Sequence, residues 1–62
     1  MTVVLEENGS ESTIVEGATR LDVVGDLIRV SSFFEEPVEV ADARVSSVDF
    51  LGGRLVLEKK TV

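Results

Sequence analysis

The chain predicts an all-β fold, a small meandering sheet that curls on itself into a barrel of six to seven short strands. Three observations carry that expectation. Valine supplies 12 of the 62 residues, and β-branched side chains at that density favour a pleated backbone over a helix. Glycine-bearing turn pairs recur between short alternating segments. No extended stretch spaces its apolar residues at helical period.

The elements follow in order. Asn8-Gly9 separates TVVLE (Thr2 to Glu6) from ESTIVE (Glu11 to Glu16), and Asn-Gly is a strong hairpin signal because both residues tolerate positive φ. Gly17 closes the second segment. RLDVV (Arg20 to Val24) then meets LIRVS (Leu27 to Ser31) across Gly25-Asp26. Leu21 and Val23 alternate with Arg20 and Asp22, and Ile28 and Val30 flank Arg29, so one face of this hairpin is apolar and the other wet. Pro37 suits the first residue of the VEV strand, where a missing N–H does no harm. In ARVSSVDF (Ala43 to Phe50) the spacing of Val45, Val48 and Phe50 changes phase, which predicts a bulge near Ser46-Ser47. Leu51-Gly52-Gly53 turns the chain into RLVLE (Arg54 to Glu58), and 59–62 reads as a frayed tail. The barrel expected from this order is of the SH3-like or Sm-like kind.

One domain occupies 1–62, and a chain this short buries only about 60% of its unfolded surface. Neither cysteine nor histidine is present to add a disulfide or a structural zinc. The expected inward set is Val3, Leu5, Ile14, Leu21, Val23, Ile28, Val30, Val38, Val40, Val48, Phe50, Leu55 and Leu57. Val4, Val24, Leu27 and Val56 fall on the opposite faces. Two readings of these leftovers stand: scattered surface residues, which are ordinary, or a patch buried in a symmetric homodimer.

The absence of histidine and cysteine removes the triad and dyad nucleophiles and the soft metal ligands, so the chain reads as non-enzymatic. Glu6-Glu7 and Glu35-Glu36 are neighbours that a strand would point to opposite faces. Glu35, Glu36, Glu39 and Asp42 lack the spacing of a calcium loop, and Gly52-Gly53 lacks the lysine of a phosphate loop. The net charge of −6 opposes nucleic acid. It suits either an ordinary soluble acidic surface or a high-salt cytoplasm that screens the carboxylates. No apolar run approaches the roughly 20 residues of a membrane span, so a cytoplasmic location is expected.

The segment SSFFEEPVEV (Ser31 to Val40) holds two of the three phenylalanines. If it is extended, Phe33 and Phe34 point apart. One then plugs the barrel, and the other forms a contact surface with Glu35 and Glu36.

The order of segments, from the valine-rich start through VVGDLIRV and SSFFEEPVEV to ARVSSVDFLGGRLVLE, resembles the CooT-like family of very small proteins, also catalogued as predicted RNA-binding proteins. The resemblance runs through Val45, Val48, Asp49, Phe50, Arg54, Leu55, Leu57 and Glu58. It implies a cytoplasmic β-rich domain, often dimeric, whose founding members are nickel-binding accessory proteins in the maturation of carbon monoxide dehydrogenase. Their metal ligand is a cysteine directly after the initiator methionine. Thr2 stands at that position here, and a neutral hydroxyl is a poor ligand for Ni(II). The expectations are therefore a homodimeric accessory module with an unknown protein partner, no cofactor and no tight nickel binding. RNA binding is the second reading, with charge against it.

Overall fold

The computed structural model describes residues 1–60. Within them seven strands follow one another: β1 (Thr2–Glu7), β2 (Ser10–Val15), β3 (Ala18–Val24), β4 (Leu27–Ser32), β5 (Val38–Ala41), β6 (Ala43–Asp49) and β7 (Arg54–Lys59). The two hairpin turns form where Asn8-Gly9 and Gly25-Asp26 predict them. Asn8 and Gly9 both take positive φ, 52° and 79°, the pattern of a type I′ turn, and close Glu7 onto Ser10. Gly25, at φ 59°, supplies the positive first position of a II′ turn and closes Val24 onto Leu27.

The expected closed barrel is not formed. The strands make a four-stranded sheet of order β2-β1-β7-β6 and a three-stranded sheet of order β3-β4-β5. Nor is the order a simple meander, since β1 and β7 pair in parallel at the centre of the larger sheet. The separation has a local cause at Asp42. This single residue links β5 to β6 at a φ of 54°, a left-handed conformation that aspartate tolerates and that stops the strand from running on. Isolated main-chain bonds stitch the sheets at their two ends instead. Ala18 N donates to Met1 O (2.7 Å) at one end, and at the other Lys60 N donates to Asp42 O (2.7 Å) and Ala43 N to Asp26 O (3.3 Å).

The predicted bulge at Ser46-Ser47 is present. Val45 pairs with Leu57 and Ser47 with Val56, leaving Ser46 as the extra residue. Two more such irregularities leave Ile14 on β2 and Thr19 on β3 without a register partner. All three lie on edge strands, and the fourth edge, β5, has four residues. Bulged or short edges resist pairing with foreign strands.

Val3, Val15, Ile28, Val30, Val40, Ala43, Leu55 and Leu57 form the core, with Leu5, Ile14, Ala18, Leu21 and Val38 packed at its margin. Several expected inward residues behave differently. The bulge at Ile14 shifts the phase of β2, so Val15 becomes fully buried and Ile14 marginal. Val23 and Val48 do face inward, opposite Ile28 and Leu55. They stand on edge strands, and both are exposed. Phe50 leaves the core entirely, 84% exposed. Val4 lies on the outer face between Thr13 and Val56 and is nonetheless buried there.

The leftover residues do not gather into one patch. Val4 and Val56 share the outer face of the larger sheet, while Val24 and Leu27 pair on the outer face of the smaller one. The chain end is also more ordered than a frayed tail from 59: Lys59 closes β7, and Lys60 is bonded to Asp42 and Asp26. Thr61 and Val62 lie outside the described residues. No helix among the described residues is long and apolar enough to cross a membrane.

Candidate functional site

Thr2, Phe33, Phe34, Glu35 and Glu36 all sit toward one end of the molecule, and the register shows why. Thr2 begins β1 beside Arg54, the first residue of β7, and Val3 pairs with Val15 at the end of β2. Ala18 begins β3 opposite Ser32 at the end of β4, and the reciprocal contact of Met1 with Ala18 brings the two sheets together there. The β4–β5 loop and the β6–β7 turn therefore open at this same end. The turns at Asn8-Gly9 and Gly25-Asp26, and the Asp42 link, lie at the other.

Neither phenylalanine of the β4–β5 loop plugs a core. Phe33 is 83% exposed and Phe34 97%, so the expected division into one buried and one displayed ring is overturned. With Pro37 and the two glutamates the segment is a loop and not a strand, and it lies beyond the covered part of either sheet. The rings meet edge to face with centroids 6.3 Å apart, a favourable arrangement for an aromatic pair. Pro37 immediately precedes β5 instead of being its first residue. Glu35 borders a surface hollow with Thr13, Ile14, Val15 and Glu16, which sets its carboxylate beside the end of β2.

Phe50 and Leu51 were not among the expected surface residues, yet both are exposed. The cue is in the sequence: Asp49-Phe50-Leu51-Gly52 has the aspartate-first, glycine-fourth spacing of a β-turn. The Asp49 carboxylate accepts the Gly52 N–H at 2.9 Å. The turn thus lifts Phe50 and Leu51 away from the sheet, and all three phenylalanines of the chain lie on the surface.

The charged groups divide sharply. All six basic side chains are engaged: Arg20 with Asp22, Arg29 with Glu39, Arg44 with Glu58, Arg54 with Glu11, Lys60 with Asp26, and Lys59 on the Ala41 carbonyl at 2.7 Å. Glu6, Glu7, Glu16, Glu35, Glu36, Asp42 and Asp49 have no basic partner among the described residues, and of these Glu16, Glu35 and Glu36 lie beside the phenylalanine loop. The Asp26 carboxyl is held below its ordinary range, first by the hydrogen bond from Lys60 and then by its charge.

Thr2 is half-buried, and its N–H donates to Gly53 O at 2.8 Å. The Met1 amine donates to Ala18 O at 3.2 Å. Among the described residues no group of three or more acidic, histidine or cysteine side chains is arranged to hold a metal ion.

A family model described as CO dehydrogenase accessory protein CooT matches residues 1–58. The chain belongs to the CooT family. No curated relative matches it. For a CooT-family chain, the end of the fold that carries Thr2 is also the end that displays Phe33, Phe34, Phe50 and Leu51.

Proposed function

We propose that this CooT-family chain is a non-enzymatic, cytoplasmic accessory module of a CO dehydrogenase system that works by docking onto protein. One observation carries the reading. A chain this short of core leaves all three of its phenylalanines in solvent, in two loops at one end, where large exposed aromatics mark an interaction surface.

A nickel role is left out because the donors at the family's ligand position do not fit the metal. Thr2 offers a neutral hydroxyl in place of a thiolate. The Thr2 amide and the Met1 amine are both spent on carbonyls. The six engaged cations likewise leave no free basic surface for a phosphate backbone, which supports a protein partner over RNA.

The module acts as a homodimer through the inner face of β6. Val45 and Val48 share that face with buried Leu57 and Leu55, but they are only partly covered. The exposed surface of 4338 Å² exceeds the roughly 3,900 Å² that mass scaling gives for a monomer of this size. This uncharged stripe can pair with its own copy without opposing like charges.

Titration of a purified CO dehydrogenase into the protein tests the reading. Saturable binding, with no turnover of CO by the accessory protein alone, supports it, and no binding to either the apoenzyme or the loaded enzyme overturns it.

A further inference from the structure

We infer that the loop Phe33–Pro37, with Glu16 beside it, is a docking surface for a basic, apolar-studded segment of a partner protein. The inference rests on the accessory reading for its biological setting and on charge for its content. Phe33 and Phe34 present two almost uncovered rings in an edge-to-face pair. Directly after them come Glu35 and Glu36, and Glu35 shares its hollow with Glu16.

Charge selects the occupant. These three carboxylates have no basic partner among the described residues, whereas each lysine and arginine of the chain already has one. A second copy has no free cation to offer and would bring its own Glu16, Glu35 and Glu36 against the first set. Nucleic acid and anionic lipid are repelled for the same reason. A segment with lysine or arginine next to leucine-like side chains satisfies both halves of the surface. Its apolar groups cover the rings, its cations meet the glutamates, and the aromatic faces add cation–π attraction. The arrangement assigns affinity to the phenylalanines and steering to the glutamates.

The test uses the full chain labelled with nitrogen-15 and two short synthetic peptides, one mixing lysine with leucine and one with glutamate in place of each lysine. The basic peptide should shift the amides of Ser32 to Glu36, of Val38 and of Val15 to Gly17, with an apparent affinity that falls as salt rises. The acidic peptide should leave them in place. Phe34→Ala should weaken binding about tenfold, and Glu35→Gln with Glu36→Gln about fivefold with a flatter salt dependence. Shifts spread evenly over the acidic surface, or centred on Glu6-Glu7, overturn the inference. A parallel titration with CO dehydrogenase separates the two claims. If the enzyme binds and the glutamine variant binds it equally well, this surface is wrong while the accessory role stands. If the peptide maps to the loop and the enzyme does not bind, the surface stands and the accessory role falls.

Discussion

Lys60 reaches across the far end of the fold to the Asp26 carboxylate, tying the chain that leaves β7 to the turn between β3 and β4. The Lys60 N–H reinforces the tie by donating to Asp42 O. Two sheets that share no continuous ladder are clasped here by residues that lie 34 positions apart in the chain.

This clasp predicts an acid-side dependence of stability. Hydrogen bonding to Lys60, then its charge, lowers the Asp26 pKa in the folded protein. A carboxylate with a depressed folded pKa contributes stability that is complete above its unfolded value, about 3.9, and is lost as pH falls through the lower folded value. Asp26→Asn should therefore melt slightly below the parent at neutral pH, and the two melting curves should converge in acid. Both side chains are well exposed, so the difference is small. Parallel thermal melts across pH check it, and a constant offset down to the most acidic point would contradict it.

Core and displayed apolar residues should separate cleanly by mutation. Ile28 and Leu57 are fully enclosed, and truncating either to alanine costs about 2–5 kcal/mol. A chain of this length commands roughly 3–9 kcal/mol in total, so Leu57→Ala should lose a large fraction of its stability. Phe33→Ala and Phe34→Ala should each change stability by less than about 0.5 kcal/mol. Urea denaturation measures all four, and strong destabilisation by either phenylalanine variant would mean that a ring is structural.

The contrast also shows how much of the fold the sequence discloses. Turn chemistry at Asn8-Gly9 and Gly25-Asp26 is local, depending on which residues accept positive φ, and it places both hairpins correctly. The bulge at Ser46 is legible too, because it changes the phase of the valines. The pairing of β1 with β7 is not, since no local signal says that the first and last strands lie side by side in parallel. Burial errors follow from that gap. Val23, Val48 and Phe50 obey or extend the alternation of their strands, but alternation gives a face and not what covers it. At the site, Phe33 and Phe34 were legible as paired aromatics beside acid. That both are displayed follows from a loop lying beyond the edge of two small sheets, which a linear pattern does not contain.

The partly covered stripe on β6 predicts a self-association that a single charge abolishes. Val48→Lys places an ammonium on the inner face beside Leu55, at a position already 38% exposed, so the long side chain can still reach water in a monomer. The parent should sediment as a dimer at tens of micromolar and the variant as a folded monomer. A parent that remains monomeric, or a variant that remains dimeric, removes β6 as the interface. Phe34→Ala serves as the control, because its loop lies apart from β6 and the dimer should survive it.

Thr2 gives the last test, and its geometry sharpens the expectation. In the chain that keeps Met1, nickel bound through an amine, a deprotonated amide and a thiolate would need the Thr2 amide nitrogen, which here donates to Gly53 O at 2.8 Å and fixes the start of β1 beside β7; once Met1 is removed, that nitrogen is itself the amine and the amide is Val3's. Metal binding would therefore compete with a main-chain bond in the sheet and would gain a hydroxyl in return. Calorimetry of the parent chain should show no submicromolar Ni(II) affinity. A Thr2→Cys variant freed of Met1 supplies the missing thiolate next to an amine and should gain both affinity and a thiolate-to-nickel charge-transfer band. If the parent binds as tightly as that variant, donors other than the residue at position 2 hold the metal. The accessory role would then include nickel after all.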